Sequence, residues 1–383
     1  MFIRARDYRT DQWIDVRIDS GRISSVGPAA GGTPELTSDW IAPSMFDLQI
    51  NGCDRISFNS PNLTVEQVRH VVATCRLHGI GGLCPTLVTN SFEALSHGFA
   101  TLTRACESEP DLAAAMPCFH LEGPYISSID GPRGAHPLEH VRPPDWKEFQ
   151  RLQEAAGGRI GLVTLAPEYD SAPKFIEQLV QCGIVVAIGH TAASHEQILA
   201  AVDAGARLCT HLGNGCHATL PRHDNYLWQQ LAEDRLWASI ICDGHHIPPS
   251  VIKSIVRVKS PARTILTSDA SSLAGVAPGR YGEWGQELDV LPNGKIVVPG
   301  TPFLAGSWAF TDLCINEAMR HAGVSLAEAI DMAGARPREL LNLPPRRLTA
   351  GDPADLVLLD KAGDGVRVQR VVAPSGVFAA TSA

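Results

Sequence analysis

Short apolar runs alternate with segments of helical period through the middle of the chain. Eight runs have the length and composition of buried strands, at 45–50, 82–88, 118–121, 160–165, 184–188, 207–210, 238–242 and 264–266. Helical spacing of apolar residues separates most of them, as at 64–78, 91–105, 172–182 and 249–258. Eight strand–helix repeats predict an α/β fold, a (β/α)8 TIM-like barrel. A doubly wound open sheet is the alternative, but such a sheet would not usually need eight parallel strands.

Both ends of the chain have a different pattern. Residues 13–18 and 22–27 alternate apolar and polar positions around a turn, which predicts a half-buried hairpin, and 356–359 and 366–372 repeat this texture. We therefore predict a small β-sandwich domain built from 1–43 and 346–383, with the barrel spanning 44–345. Residues 270–306 interrupt the barrel pattern and contain a hairpin turn at 291–295, which predicts a large insertion or a lid.

Composition narrows the classes of function. The 383 residues carry a net charge of -9 without a basic run, which argues against nucleic acid as a partner. No apolar run approaches the length of a membrane span, and the first residues lack the apolar core of a signal peptide. The ten cysteines form no C-x-x-C pair and sit mostly in apolar strands, as buried thiols do. The expected location is the cytoplasm.

Two consecutive predicted strands each end in a histidine. His190 follows the strand at 184–188, and His211 follows the strand at 207–210. Because the carboxyl ends of parallel strands meet at one edge of a sheet, we expect both imidazoles where α/β proteins collect ligands and catalytic groups. Two neutral imidazoles suit a divalent metal. Each histidine could instead cap its strand by bonding a backbone carbonyl, so the metal interpretation requires a third ligand.

Glu122 supplies that ligand, since it closes the strand at 118–121 directly before a Gly-Pro turn. One carboxylate and two imidazoles make an open zinc or iron site that leaves room for water. A salt bridge at the rim is the alternative for Glu122, but it leaves the two histidines unexplained. Asp269 follows the eighth strand and is the candidate general base, with a helix N-cap as its alternative role. His246 after the seventh strand and His136 after Glu122 are candidates for contact with a substrate.

Together these motifs resemble the N-acetylglucosamine-6-phosphate deacetylases of the amidohydrolase superfamily. The resemblance covers essentially the whole chain and rests on 42–52, 120–124, 189–191, 210–212, 243–246, 267–270 and 304–307. It implies one divalent metal per subunit, zinc or alternatively iron, held by Glu122, His190 and His211, with Asp269 as the base. Most members of the superfamily carry His-x-His after the first strand for a second metal. Here Gln49 and Asn51 stand at those positions, which argues for a single metal.

The resemblance also implies a reaction, a substrate and a partner. The reaction is hydrolysis of the acetamide of N-acetylglucosamine 6-phosphate to glucosamine 6-phosphate and acetate, and the partner is a second copy in a homodimer. The implied substrate contacts are Ala135, His136, Asn214, Gly215, Arg222, His246, Leu304, Ala305 and Gly306. This chain reads Leu-Gly-Asn-Gly-Cys at 212–216, where the family usually has Leu, an aromatic residue and Asn-Ala-Met. Arg222 stands where the family has an arginine that reaches the phosphate across the dimer, but its surroundings differ.

Other functions remain open at this point. The sugar epimer, the phosphorylation of the substrate and the subunit that Arg222 serves are not decided by the sequence. A different single-metal amidohydrolase, acting on another N-acyl or cyclic amide, is the alternative enzyme. A cyclic-amide hydrolase would more often keep His-x-His and a bridging lysine, which we do not find. A non-catalytic sugar-phosphate-binding protein is the third hypothesis, and the intact set Glu122, His190, His211 and Asp269 argues against it.

Overall fold

The computed structural model describes residues 1–283, 286–301 and 304–379. Its strands are β1 (Phe2–Asp7), β2 (Trp13–Asp19), β3 (Arg22–Pro28), β4 (Leu36–Pro43), β5 (Met45–Ile50), β6 (Gly52–Cys53), β7 (Ile56–Ser57), β8 (Ile80–Val88), β9 (Phe119–Glu122), β10 (Ile160–Leu165), β11 (Val185–Ile188), β12 (Leu208–Cys209), β13 (Trp237–Ile241), β14 (Thr264–Thr267), β15 (Gly279–Glu283), β16 (Gln286–Val290), β17 (Ile296–Val297), β18 (Leu356–Ala362), β19 (Gly365–Ala373) and β20 (Gly376–Ala379). Its α-helices are α1 (Val65–Leu77), α2 (Phe92–Ser108), α3 (Pro110–Ala115), α4 (Trp146–Ala155), α5 (Ala172–Gln181), α6 (His195–Asp203), α7 (Tyr226–Ala232), α8 (Pro249–Lys259), α9 (Thr311–Ala322), α10 (Leu326–Ala333) and α11 (Ala335–Leu340).

Strands from both ends of the chain form one seven-stranded sheet in the order β20-β19-β18-β4-β1-β2-β3. The two ends meet where β18 pairs antiparallel with β4, with Leu356 opposite Pro43. The predicted alternation is visible in the core, because Ile3, Val16 and Ile41 are buried on one face. The prediction that both termini build a common β unit beside the barrel is therefore confirmed.

The middle of the chain forms an eight-stranded parallel sheet in the order β14-β13-β12-β11-β10-β9-β8-β5. Its edges approach each other, since Ile50, the last residue of β5, pairs in parallel with Ala270 beyond β14. The Asn51 backbone N–H also donates to the Ala270 carbonyl over 2.8 Å. The predicted (β/α)8 barrel is confirmed, and each predicted strand overlaps an observed one within a few residues.

Helix starts follow local capping chemistry. The sequence predicts Ser194 as the N-cap of a helix, because Ile198, Leu199 and Val202 follow it at helical spacing. Ser194 accepts the Gln197 backbone N–H, and the Gln197 side chain accepts the Ser194 backbone N–H, so the predicted N-cap is confirmed. The sequence pattern predicts a further helix over 307–322, but α9 begins only at Thr311, so the predicted start is wrong. Ser307 instead continues the sheet edge, where its backbone N–H donates to the Asp269 carbonyl over 2.9 Å. At 307–310, hydrogen bonding at the barrel edge therefore overrides the helical spacing of the apolar residues.

The insertion at 270–306 contains a three-stranded sheet of β15, β16 and β17. The predicted hairpin turn is present, with the Leu291 backbone N–H donating to the Lys295 carbonyl over 2.8 Å. Its apolar side chains form a small core of their own that includes Leu288, Val290 and Ile296. Residues 284–285 and 302–303 of the predicted lid lie outside the described residues, and motion of a lid stays a prediction.

None of the helices in the described ranges has the length and apolar character needed to cross a bilayer.

A buried carboxylate, Asp47, ties the two edges of the barrel together. It lies on β5 and accepts the Thr267 hydroxyl of β14 over 2.5 Å, the Ser268 backbone N–H over 2.8 Å and the Thr311 hydroxyl of α9 over 2.6 Å. Its side chain is fully buried. Hydrogen bonds to a carboxylate are stronger than those between neutral groups. A buried donor or acceptor that loses its partner also costs the free energy of its desolvation.

We expect Asp47→Asn to lower the free energy of unfolding by about 2–4 kcal/mol, since the amide offers one acceptor oxygen where the carboxylate offers two. Urea unfolding followed by circular dichroism measures the change. Asp19→Asn, at an exposed strand end, is the matched control and should leave the midpoint unchanged. Equal midpoints for both variants would contradict the role of Asp47 in closing the barrel.

Candidate active site

Four candidate residues from four different strands meet at the carboxyl-terminal end of the barrel. Glu122 is the last residue of β9, while His190, His211 and Asp269 each stand two residues beyond β11, β12 and β14. All four line one cavity of about 500 Å³. A volume of this size accommodates a small organic substrate. Parallel strands of one barrel bring their ends to a single rim, which is why residues far apart in sequence meet there.

Three of these residues adopt an unusual backbone conformation. The φ angles are 50° at His190, 31° at His211 and 51° at Asp269, in the left-handed region that L-residues seldom occupy. Each lies where a strand turns sharply, so the side chain points into the cavity instead of along the sheet edge. Backbone strain of this kind accumulates at functional sites, where the surrounding structure holds it in place.

The metal-binding candidates are in mutual contact. Glu122 Oε1 lies 3.0 Å from His211 Nε2 and 3.3 Å from His190 Nε2, and the two Nε2 atoms are 3.1 Å apart. Ligands that share a tetrahedral zinc ion at about 2.0–2.1 Å are roughly 3.3 Å from one another. The three atoms are therefore already spaced as the ligands of one ion are.

The hydrogen bond of His190 to the backbone supports this interpretation. Its Nδ1 lies 2.9 Å from the Pro132 carbonyl, which only accepts, so Nδ1 donates there and Nε2 is the nitrogen that faces Glu122 and His211. His211 Nδ1 is buried without a hydrogen-bond partner. Two imidazole nitrogens and a carboxylate oxygen thus face one another, and a cation between them satisfies all three.

Glu122 and the two histidines shift one another's pKa values. Burial alone would raise the pKa of Glu122, but hydrogen bonds and charge from His190 and His211 hold it well below its usual range. The same carboxylate raises the pKa of His211 against the opposing effect of burial. Glu122 is therefore an anion at neutral pH, as a metal ligand must be.

A second triad shares two of these ligands. The ligand atoms of Glu122, His136 and His190 all lie within 4.8 Å of one another, so this group could also hold an ion. We prefer His211 as the third ligand because its contacts are 3.0–3.1 Å, close to the spacing that one ion imposes. Burial and the neighbouring His190 lower the pKa of His136 to about 3, so His136 is neutral beside the cluster.

Asp269 is held by the side-chain amides of Gln49 and Asn51. Gln49 Nε2 donates over 2.9 Å to Asp269 Oδ1 and over 2.9 Å to Glu122 Oε1, and Asn51 Nδ2 donates over 2.7 Å to Asp269 Oδ1. Desolvation and the negative charge of Glu122 raise the pKa of Asp269 to about 7. A pKa near neutral suits a group that takes up and returns a proton.

His246 is oriented by a buried carboxylate that the sequence pattern did not single out. Asp243 Oδ2 lies 2.7 Å from His246 Nδ1, and Asp243 Oδ1 accepts the backbone N–H groups of His245 and His246. Ser307 Oγ donates to Oδ2 as well, over 3.2 Å. Burial opposes ionisation, but the hydrogen bond and charge of His246 lower the pKa of Asp243 to about 2. Asp243 therefore keeps His246 in one orientation at the cavity wall.

The other predicted contacts divide into two groups. Those that line the cavity are Ala135, His136, Asn214, Gly215, His246, Leu304 and Gly306. A Cβ at Gly215 would lie 2.8 Å from His190 Nδ1, so the close approach of this loop requires glycine. Ala305 is buried behind the wall in the insertion core. Arg222 is exposed and is not among the cavity-lining residues of its own chain.

Sequence reasoning missed several residues of the cavity wall. Among them are Thr89, Asn90, Glu139, His140, Cys216 and His217. Thr89 Oγ1 lies 2.8 Å from His136 Nδ1, so it fixes a predicted residue from a neighbouring strand. Only the closeness of His217 to the atypical stretch 212–216 could have drawn attention to it from the sequence.

Comparison with known proteins agrees with this geometry. No family model matches the sequence. N-acetylglucosamine-6-phosphate deacetylase of Danio rerio is 33% identical over 369 residues, covering 91% of this chain and 89% of that protein. The human enzyme of the same name is 34% identical over 86% of this chain and 81% of its own. N-acetylgalactosamine-6-phosphate deacetylase of Escherichia coli is 29% identical over 96% of this chain and 97% of its own.

Solved structures extend the comparison to the whole fold. N-acetyl-D-glucosamine-6-phosphate deacetylase of Mycobacterium smegmatis, determined with N-acetyl-D-glucosamine-6-phosphate, superposes with a TM-score of 0.88 at 30% identity, covering 99% of each chain. An enamidase described as an amidohydrolase superfamily member reaches 0.59 at 12% identity, which supports the fold alone. This chain belongs to the N-acetylglucosamine-6-phosphate deacetylase family.

Proposed function

We propose that this protein hydrolyses the acetamide of an N-acetyl amino sugar 6-phosphate and releases acetate and the amino sugar phosphate. The observation that carries the proposal is the meeting of Glu122, His190, His211 and Asp269 in one cavity at the barrel rim. Three of these groups form a cation site, and the fourth is a carboxylate whose pKa is raised to about 7. Metal-assisted hydrolysis needs this combination.

Glu122, His190 and His211 would hold one divalent ion. Such an ion acts as a Lewis acid that polarises the amide carbonyl and makes water a stronger nucleophile at neutral pH. We propose zinc, with iron as the alternative, because one carboxylate and two imidazoles suit both. Gln49 and Asn51 are weaker ligands than histidine and already donate to Asp269, which supports a single ion.

Asp269 is the general base in this proposal. It takes a proton from the attacking water and returns it to the nitrogen of the leaving amine. Because Gln49 and Asn51 both donate to Oδ1, we assign the proton to Oδ2. His136, neutral and held by Thr89, lies beside the cluster and is placed to bond an oxygen of the substrate.

The remaining substrate contacts are proposed for the sugar and its phosphate. Ala135 and His136 would touch the sugar, Asn214 and Gly215 would approach the phosphate, and His246 would bind near the carbonyl or the phosphate. Leu304 and Gly306 form the wall that the insertion contributes, with Ala305 packed behind them. The support for these assignments is their position in the cavity lining together with membership of the family.

Asp243→Asn tests the orientation of His246. We expect KM for the phosphorylated sugar to rise roughly tenfold, because the amide cannot accept from both the His246 ring and the neighbouring backbone N–H groups. The rate at saturation should change by less. Steady-state acetate release measures both constants, and exposed Asp364→Asn is the control. An unchanged KM would remove Asp243 from the proposal.

We propose a homodimer in which Arg222 reaches the phosphate of the neighbouring subunit. The support is that Arg222 is exposed and lies outside the cavity of its own chain. We also propose a cytoplasmic location, since all ten cysteines are free thiols and eight of them are buried.

Acetate release decides the function. The protein is reconstituted with zinc and given N-acetylglucosamine and N-acetylgalactosamine, each with and without the 6-phosphate. Both epimers are included because relatives that act on each are similar to this chain over most of its length. We expect rapid turnover of at least one phosphorylated sugar and much slower turnover of its unphosphorylated form. No acetate from any of the four would reject the proposal in favour of another amide substrate or of a binding protein.

A further inference from the structure

The loop after His211 forms a continuous part of the cavity wall. Gly213, Asn214, Gly215, Cys216 and His217 all line the cavity, in the stretch where this chain departs from the family pattern. The described residues that line the cavity include no lysine and no arginine. A phosphate bound in this cavity must therefore be recognised by uncharged N–H or O–H donors, by histidines or by a cationic side chain of a neighbouring chain.

Part of this loop is already engaged in its own hydrogen bonds. Asn214 Nδ2 donates to the His211 carbonyl over 3.2 Å, and Cys216 Sγ donates to the Asn214 carbonyl over 3.2 Å. These contacts shape the loop and reduce what Asn214 offers to a ligand. The imidazole of His217 is the next donor along the wall.

His217 is fixed by two hydrogen bonds to one hydroxyl. Tyr226 Oη lies 2.8 Å from the His217 backbone nitrogen and 3.0 Å from its Nδ1. The hydroxyl accepts the backbone N–H and has a proton of its own that it can donate to Nδ1; in that arrangement the neutral ring carries its proton on Nε2. Tyr226 is 4% exposed and begins α7, so it is a rigid support.

The loop that contains Gly131 also packs closely against His217. A Cβ at Gly131 would lie 3.0 Å from His217 Cα and 3.1 Å from the Cys216 carbonyl oxygen. Gly131, with φ at 94°, therefore lets the loop after β9 pack directly on the backbone of His217. Held from two sides, the ring presents a donor with little freedom to turn away.

We infer that His217 is a substrate-binding residue that donates from Nε2 to the phosphate of the sugar and so sets the preference for phosphorylated substrates, with Tyr226 as its positioning residue. The inference rests on the proposed function. It adds a residue from the atypical loop to the phosphate contacts, within the same subunit. A hydrogen bond between a fixed donor and a phosphate oxygen is charge-assisted and directional.

The test compares kinetic constants on phosphorylated and unphosphorylated N-acetyl hexosamine for zinc-loaded His217→Ala and Tyr226→Phe proteins. We expect His217→Ala to lower kcat/KM for the phosphorylated sugar by roughly tenfold to a hundredfold, mainly through KM. Tyr226→Phe should shift the same constant in the same direction by less, because the ring of His217 remains. The constants for the unphosphorylated sugar and the zinc content should not change in either variant.

Exposed His223→Ala, in the same loop but outside the cavity lining, is the matched control and should behave as the parent protein. Equal losses on both sugars, or no loss in His217→Ala, would overturn the inference while the parent protein still released acetate. A parent protein that released no acetate would instead overturn the proposed function on which the inference rests.

Discussion

Asp269→Asn is expected to reduce acetate release at saturating substrate by roughly 10²–10⁴-fold, the range typical of a lost general acid–base group. The amide has nearly the shape of the carboxylate and can still be held by Gln49 and Asn51 at Oδ1. It cannot accept a proton from water or return one to the leaving nitrogen. Binding of the sugar and retention of the metal should survive, so the effect falls on kcat.

The measurement combines steady-state kinetics with metal content and sugar binding by calorimetry. Asp170→Asn, an exposed carboxylate on the surface, is the control for the loss of one charge. An Asp269→Asn protein that turned over at the parental rate would contradict the assignment of the base. A protein that lost its metal would move Asp269 from base to ligand.

Removal of the metal is expected to reduce acetate release at least as much as Asp269→Asn does. Chelation should abolish acetate release, and one equivalent of zinc per chain should restore it. Because the ion binds only the folded protein, it should stabilise the chain by about 4 kcal/mol at a thousandfold excess over its Kd, and the melting temperature should fall on chelation. Two equivalents for full recovery would contradict a single-metal centre.

His211→Ala should reproduce the loss of the metal, since it removes one of three closely spaced ligands. The exposed His195→Ala on α6 is the matched control for replacing a histidine.

His136→Ala tests whether His136 or His211 is the third metal ligand. It should keep its zinc and lose activity if His136 contacts the substrate, whereas loss of zinc would identify His136 as a ligand.

Much of the barrel and its rim could be predicted because apolar runs in a parallel barrel are short, continuous and buried. Once the strands are known, the residue after each one must stand at the carboxyl-terminal rim. That rule places Glu122, His190, His211 and Asp269 at one rim from the sequence alone. The capping box joins Ser194 to Gln197, three residues later, so the sequence alone predicts the start of α6.

Other features depend on contacts between distant parts of the chain. The sequence around Asp243 indicates only a polar turn residue. In the structure, Ser307, sixty-four positions away, donates a hydrogen bond to its carboxylate. Residues 307–310 fit a helical period, but the backbone N–H of Ser307 donates to the Asp269 carbonyl at the sheet edge. The positions of Arg222 outside the cavity and of Ala305 behind its wall follow from loop paths, which hydrophobic periodicity does not encode.

Diffraction from zinc-soaked crystals, recorded at the zinc absorption edge, tests the metal centre most directly. We expect one anomalous peak per chain, about 2.0–2.2 Å from a Glu122 oxygen and from Nε2 of both His190 and His211. A peak ligated by His136 in place of His211, a second peak at Gln49 and Asn51, or no peak in the cavity would contradict the single-ion centre on which the proposed hydrolysis depends.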